Sequence, residues 1–389
     1  MSWKKSLKQQ LEQRRQGNLL RQRRTLSSPQ GRKVVVDGQP LLNFSSNDYL
    51  GLAAESSDID PRHSFGSGAS HLICGHSQAH HDLETALANS VGYPRALLFA
   101  NGYMANLALM QCMVKRGDVI LQDKLNHASL IDGALLSTAT LSRYRHLDYQ
   151  HLQQQINHHQ GNKGLIATDA VFSMDGDQAD LKSLSLLARK ADMPLIIDDA
   201  HGFGTLLKTT PEGKYTGSTH WQDQTVTDVP VYMGTLGKAL GGYGAFVAAE
   251  DDIIEYLIQF ARPYIYTTAL PPALADLMLH KLTLVMSGER QQQLNHLIDY
   301  FKQQANKAEL ALMPSTTAIQ PLLLKDDALA LSMSDQLLQQ GLLVTAIRPP
   351  TVPKGSARLR ITLNASHTEN DVDLLISALT RIRETEHAA

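Results

Sequence analysis

Lys238 lies in Thr235-Leu236-Gly237-Lys238-Ala239-Leu240-Gly241-Gly242, a lysine among small residues just past an apolar run. Glycines let another group approach the backbone closely. A lysine stripped of water has a lowered pKa and can form imines. A lysine beside glycines is more often an ordinary loop residue, so this segment alone decides little. Read as a Thr-x-x-Lys hydrolase signature, it would make a threonine the nucleophile, and no partner motif accompanies it. A second segment, Ile196-Ile197-Asp198-Asp199-Ala200-His201-Gly202, puts an acid at the carboxyl end of an apolar run, where open α/β sheets bind ligands. A carboxylate there can keep a pyridinium nitrogen protonated; with His201 it can equally ligate a metal. In Phe99-Ala100-Asn101-Gly102-Tyr103-Met104 an apolar run passes through a glycine turn into a helical pattern. The free N–H groups and positive dipole end of such a helix suit a phosphate. Asn126-His127-Ala128-Ser129 supplies a histidine that is either ring-stacking or structural.

These segments need elements to hold them. Short apolar runs at 96–99, 119–121, 165–168, 195–198 and 229–233 alternate with helical patterns, including 81–91 and 104–115. Such alternation predicts a mostly parallel sheet covered by helices. Before it, 2–24 reads as an amphipathic helix with Leu7, Leu11 and Leu19/Leu20 on one stripe, and Val34-Val35-Val36 and 41–44 flank an Asp37-Gly38 turn as a hairpin. After Pro271-Pro272 come a long helical stretch (273–308), strand-like segments at 319–324, 342–347 and 357–363, and a last helix over 368–384. The division expected is a helix-and-hairpin arm (1–48), a large α/β domain (49–280) and a small α+β domain (281–389).

The chain has 389 residues, enough for two or three domains. Its 43% hydrophobic and 19% charged residues suit a buried core. No apolar run approaches the ~20 residues of a bilayer span, and no secretory pattern opens the chain. Two cysteines without paired spacing argue against a disulfide framework or a zinc site and for a cytoplasmic setting. Charge is uneven. Residues 1–33 carry ten Lys/Arg and one acid, a local net of +9, leaving −11 for the rest of a chain whose net charge is −2. A basic arm on an acidic body points to an anionic partner or to a solvated helix. Without interleaved aromatics or a following nucleic-acid motif, it does not point to nucleic acid.

Taken together, the Gly102 turn, His127, Asp198-x-x-His201 and Lys238, in this order within one α/β region, resemble fold-type I pyridoxal-phosphate (PLP) transferases, and within them the α-oxoamine synthases. The resemblance runs over nearly the whole chain, through Asn43-Phe44-Ser45-Ser46-Asn47-Asp48-Tyr49-Leu50-Gly51-Leu52, Gly66-Ser67-Gly68, Val171-Phe172-Ser173-Met174-Asp175-Gly176-Asp177 and Arg358-Leu359-Arg360-Ile361. Ala318-Ile319-Gln320-Pro321-Leu322, the 345–353 stretch and Leu20-Arg21 are similar to the biotin-pathway branch of that family. Two departures stand out: His71 where many relatives carry arginine, and Asp199 where some carry glutamate.

The resemblance implies roles. Lys238 would carry PLP as a Schiff base and serve as the Cα base. Asp198 would pair with the pyridine nitrogen, His127 would stack on the ring, and His201 and Ser173 would hold its phenolic oxygen. Gly102, Tyr103 and Thr235 would hold the phosphate. Arg348, with Asn47, would take the amino-acid carboxylate; Arg21 and Thr351 would touch the thioester. The implied reaction condenses L-alanine with a pimeloyl thioester, of CoA or acyl-carrier protein, with loss of CO₂. A homodimer with shared active sites is implied, Thr267 or Thr268 reaching the neighbour's phosphate; no membrane, nucleic-acid or metal partner is. Rivals are a glycine C-acetyltransferase-like member, a non-catalytic nucleotide-binding α/β protein, and a metal-dependent hydrolase on Asp198, His201 and His127.

Overall fold

The structure, a computed structural model, describes residues 2–17, 19–20, 23–55 and 64–388. Helix α1 (Trp3–Gln16) precedes a hairpin of β1 (Lys33–Val36) and β2 (Gln39–Asn43). Asp37 and Gly38 turn it at φ 49° and 81°, the left-handed pair that a two-residue hairpin turn needs. Next come α2 (Gln78–Val91), β3 (Arg95–Phe99), α3 (Gly102–Cys112), β4 (Val119–Asp123), α4 (Ala128–Leu136), β5 (Thr140–Tyr144), β6 (Gly164–Asp169) and β7 (Leu195–Asp198). A small hairpin, β8 (Leu207–Thr210) and β9 (Gly213–Thr216), precedes β10 (Val231–Thr235) and β11 (Ala245–Ala249).

Seven of these strands form one sheet in the order β3-β11-β10-β7-β6-β4-β5. From β10 to β5 the neighbours run parallel, whereas β11 is antiparallel to both β10 and β3. Every residue of β4, β7 and β11 is buried, as strands covered on both faces must be. The expected strands are all present; β5 and β11 were not expected. β5, Thr-Leu-Ser-Arg-Tyr, is a polar edge strand. β11, Ala-Phe-Val-Ala-Ala, is short, alanine-rich and hidden behind Gly241-Gly242-Tyr243-Gly244.

The long helix expected over 273–308 is two helices, Pro272–Ser287 and Glu289–Lys307, parted by Gly288 at φ 88°. Then follow β12 (Ile319–Lys325), the helix Asp327–Gln339, β13 (Leu342–Leu343), β14 (Thr345–Ile347), β15 (Ala357–Thr362) and the helix Glu369–Ala388. β12, β15 and β14 make a small antiparallel sheet, while β13 pairs parallel with β2 of the N-terminal hairpin. That pairing brings residues 43–53 between the two sheets, where Thr362 and Ala365 donate to the carbonyls of Phe44 and Tyr49. Helix α1 ends at Gln16, short of the expected residue 24, and buries no side chain; Leu7 and Leu11 remain exposed. Among the described residues no helix is long and apolar enough to cross a membrane.

Candidate active site

The strand ends β4, β6, β7 and β10 and the start of α3 meet at a cavity of ≈170 Å³. Lys238 sits on the loop that turns β10 back into β11. That loop is closed by hydrogen bonds from Leu236 N to Gly244 O and from Gly242 N to Leu236 O, both 2.9 Å. Its small residues have a measurable cause. A Cβ on Gly241, already at φ +61°, would stand 2.2 Å from Ala53 N, and one on Gly242 would stand 2.1 Å from Met278 Sδ. The buried Lys281 completes the clamp, donating to Leu52 O at 2.7 Å and Gly241 O at 3.0 Å. The lysine loop is thus pressed against residues 52–53.

Lys238 is only partly open to the cavity, and burial dominates its electrostatics. Burial lowers its pKa to about 8 against the opposing charges of Asp198 and Asp169. Its Nζ lies 2.8 Å from His201 Nε2, and His201 Nδ1 lies 2.5 Å from Tyr49 Oη. Burial and the nearby Lys238 and Arg360 charges hold the His201 imidazole well below its ordinary pKa. A neutral ring accepting from the ammonium at Nε2 carries its proton on Nδ1. It then donates to Tyr49, and Tyr49 donates to Asn47 Oδ1 at 3.3 Å.

Asp198 closes β7. Its Oδ2 accepts from Asn106 Nδ2 at 2.6 Å and its Oδ1 from Ala200 N at 3.0 Å. Asn106 also reaches Ser129 Oγ (2.8 Å), which meets His127 Nδ1 at 2.7 Å. Asp169, paired in register with Asp198 on the adjacent strand, is the second acid here. Burial and the Asp198 charge push its carboxyl well above the usual range, and both its oxygens accept from His127 N at 3.2 Å. Asp199 points the other way and is structural, accepting from Ser218 N, Ser218 Oγ and Tyr232 Oη. Burial keeps His127 below its ordinary pKa despite Asp198, and its ring is open to the cavity.

At the opposite wall Asn101 caps α3 by accepting from Met104 N at 3.0 Å. The N–H groups of Gly102 and Tyr103, ahead of the capped one, have no acceptor among the described residues, and both residues line the cavity with Thr235. An imine-competent amine, a carboxylate on the strand end, an open imidazole face and a helix N-terminus with a nearby hydroxyl are the donor set that PLP needs. Asn106 Oδ1, buried and without a partner beside Asp198, adds an unfilled acceptor.

Seven expected cofactor residues, Gly102, Tyr103, His127, Asp198, His201, Thr235 and Lys238, line this one cavity. Ser173 does not; it takes part through its carbonyl, which accepts from Arg360 Nε at 2.6 Å. Asn47 is present one shell out, accepting from Arg360 Nη2 at 3.0 Å. Arg348, Thr351 and Arg360 do not line the cavity, Arg360 being linked to it through Tyr49 and His201, and Arg21 lies outside the described residues. Sequence reasoning missed Tyr49, Asn106, Asp169 and the role of Arg360. Asp169 carried a usable signal, since like Asp198 it is an acid ending a buried apolar run.

One positioning group was also missed. His146 bridges Asp123 and Asp177 at 2.9 Å on each side and packs edge-on against Phe172. It thereby fixes the 171–177 loop that presents the Ser173 carbonyl and the Asp175 partner of Arg358. Burial opposes its charge, but the two carboxylate hydrogen bonds win and push its pKa up to about 10. A raised folded pKa stabilises fully below the unfolded value of about 6.5 and is lost as pH rises through the folded one. His146→Gln is therefore expected to cost about 2–3 kcal/mol near pH 6. In urea melts of both proteins the gap should shrink steadily between about pH 6.5 and 10; a gap independent of pH would mean that the ring is not charged.

The family model for class I and II aminotransferases matches residues 39–379. The chain belongs to that family. Within this aminotransferase family, the 8-amino-7-oxononanoate synthase of Pseudomonas putida (strain W619) is 53% identical over 378 residues, covering 95% of both chains. That of Pseudomonas syringae pv. syringae is 51% identical over 380 residues, covering 96% of this chain and 94% of the relative. Among solved structures, 8-amino-7-oxononanoate synthase from Francisella tularensis matches with a TM-score of 0.76 at 30% identity, over 89% of this chain and 99% of the other. Serine palmitoyltransferase from S. paucimobilis, solved with a bound PLP–myriocin aldimine, matches with a TM-score of 0.89 at 23% identity, over 99% and 98% of the two chains, and shows the shared fold.

Proposed function

We propose that this chain is a PLP-dependent 8-amino-7-oxononanoate synthase. It condenses L-alanine with a pimeloyl thioester, of CoA or acyl-carrier protein, and releases CO₂ and the free thiol. The observation that carries this reading is the cavity itself, with Lys238, Asp198, His127 and the α3 N-terminus on its walls, in a chain 51–53% identical to synthases of that name.

When bound, PLP supplies an electron sink for bond breaking at the substrate Cα. The chain's residues do the rest. Lys238 would anchor the cofactor and, as a free amine, would serve as the base at the substrate Cα; its lowered pKa suits a base working near neutrality. Asp198, oriented by Asn106 and Ala200 N, holds the proton on the cofactor's ring nitrogen. Gly102 and Tyr103 N–H groups would hold its phosphate, with Thr235 beside them on the wall, where its hydroxyl now donates to Gly244 O at 3.0 Å. His127 covers the ring face. Arg360, rather than Arg348, receives the alanine carboxylate. The basic helix α1, with Lys4, Lys5, Lys8, Arg14 and Arg15, faces solvent and favours the anionic thioester. Phe65, Ile73 and Tyr266 are 81%, 79% and 71% exposed, an apolar set that a second copy in a homodimer would cover. Cys74 and Cys112 are unpaired, which fits a cytoplasmic setting.

A product assay tests the proposal. Purified enzyme is offered alanine or glycine with pimeloyl-CoA, pimeloyl-acyl-carrier protein or acetyl-CoA. The expected product is 8-amino-7-oxononanoate from alanine and a pimeloyl donor. Preferential turnover of glycine with acetyl-CoA would instead establish the 2-amino-3-oxobutanoate activity.

A further inference from the structure

We propose that His71, His76 and His80 form a binding site for a divalent late-transition metal ion, with Zn²⁺ as its probe. The three lie outside the cofactor cavity, His71 and His76 on the segment that leads into α2 and His80 in its first turn. One ring nitrogen from each lies within 4.8 Å of the other two. The ring centroids are 5.1–5.5 Å apart, and His71 Nδ1 and His76 Nδ1 are 3.0 Å apart. Zinc binds imidazole nitrogen at about 2.0–2.1 Å, so two ligand nitrogens of a tetrahedral ion stand roughly 3.3 Å apart. The His71–His76 pair already stands near that separation, and the ligand atoms of all three lie within 4.8 Å of one another. Three imidazoles with a fourth position open to water are a set that zinc, nickel and copper accept.

The ring environments fit ligation. His80 Nε2 is 2.5 Å from Leu270 O, so it carries the proton and leaves the lone pair on Nδ1. Ligating histidines are commonly held in this way, the distal N–H donating to a backbone carbonyl. His71 is fixed by stacking on Tyr264, with centroids 4.9 Å apart and planes 12° from parallel. His76 is exposed, His71 half-buried and His80 buried, which gives the ion a path in from solvent. Coordination would displace the Ser77 N–H and hydroxyl from His80 Nδ1, where they now sit at 3.0 and 2.8 Å. The bound ion would tie the 71–76 segment to α2 and, through Leu270 and Tyr264, to the 264–270 segment.

The test uses untagged, PLP-loaded enzyme stripped with EDTA and desalted. Titration calorimetry with ZnCl₂ is expected to give one ion per chain. Co²⁺ should give the visible d–d band of a low-coordinate nitrogen site, and Zn²⁺ should raise Tm. His76→Gln and His71→Gln should each weaken Zn²⁺ binding at least tenfold and remove the Co²⁺ band, with turnover in metal-free buffer unchanged. His80 is left intact because it caps α2. Absence of stoichiometric binding overturns the proposal, and so does binding equally tight in both variants, which would put the ion elsewhere, such as Asp198 and His201.

Discussion

Lys238→Ala is expected to yield a folded protein whose PLP is no longer covalently attached and whose condensation rate falls by about 10³–10⁴-fold, the upper range for removal of a general base. Borohydride reduction of the parent should fix the cofactor on the peptide containing Lys238; the variant should release it on denaturation. The fold should survive, because the loop is held by Lys281 and by the close packing of Gly241 and Gly242, not by the Lys238 side chain. The lowered pKa adds a kinetic signature. Imine formation needs the unprotonated amine. With a pKa of about 8, roughly a tenth of Lys238 is neutral at pH 7, against less than a thousandth for an ordinary lysine. Reloading of the apo-enzyme should therefore accelerate with pH up to about 8 and level off there. Acceleration continuing to pH 10, or wild-type turnover by the alanine variant, would remove Lys238 from the mechanism.

The groups that were legible in the sequence share a local cause. Lys238, Asp198, His127 and Gly102 each follow a buried apolar strand within a few residues, so strand, turn and chemistry are read together. The sheet was legible for the same reason, apart from β11, whose five apolar residues are masked by glycines, and β5, whose polar face carries no strand signal. The substrate side was not legible, because it is assembled across the chain. Arg360 reaches Asn47 across 313 positions and Ser173 across 187, and no local pattern separates it from Arg348. The 71–80 histidines failed for another reason. Their H-x₄-H-x₃-H spacing mixes an irregular turn, non-helical at Cys74, with the start of a helix.

Arg360→Ala is expected to lower kcat/KM for alanine by about 10²–10³-fold, corresponding to ~3–4 kcal/mol for the loss of one partner of a buried, hydrogen-bonded charge pair. The argument rests on charge. Arg360 is 6% exposed, and its acceptors are the Ser173 carbonyl, the Thr362 hydroxyl, the Asn47 amide oxygen and the Tyr49 phenol. All of them are neutral. Among the described residues it has no carboxylate partner, whereas Arg358, two positions earlier on the same strand, is paired with Asp175. A buried guanidinium without an anion is costly. Here the cation stands one hydrogen bond from Tyr49, which in turn touches the His201–Lys238 pair. An incoming amino-acid carboxylate supplies the missing charge bidentately, and that geometry explains why Arg360→Lys, which keeps the charge and loses the fork, should recover only part of the activity. The measurement separates binding from folding. Alaninamide, which lacks the carboxylate, should bind parent and variant alike, and KM for the thioester should hold. If Arg348→Ala instead raised the alanine KM while Arg360→Ala left it alone, the carboxylate would belong to Arg348, and the unpaired charge of Arg360 would serve only to depress the Lys238 pKa.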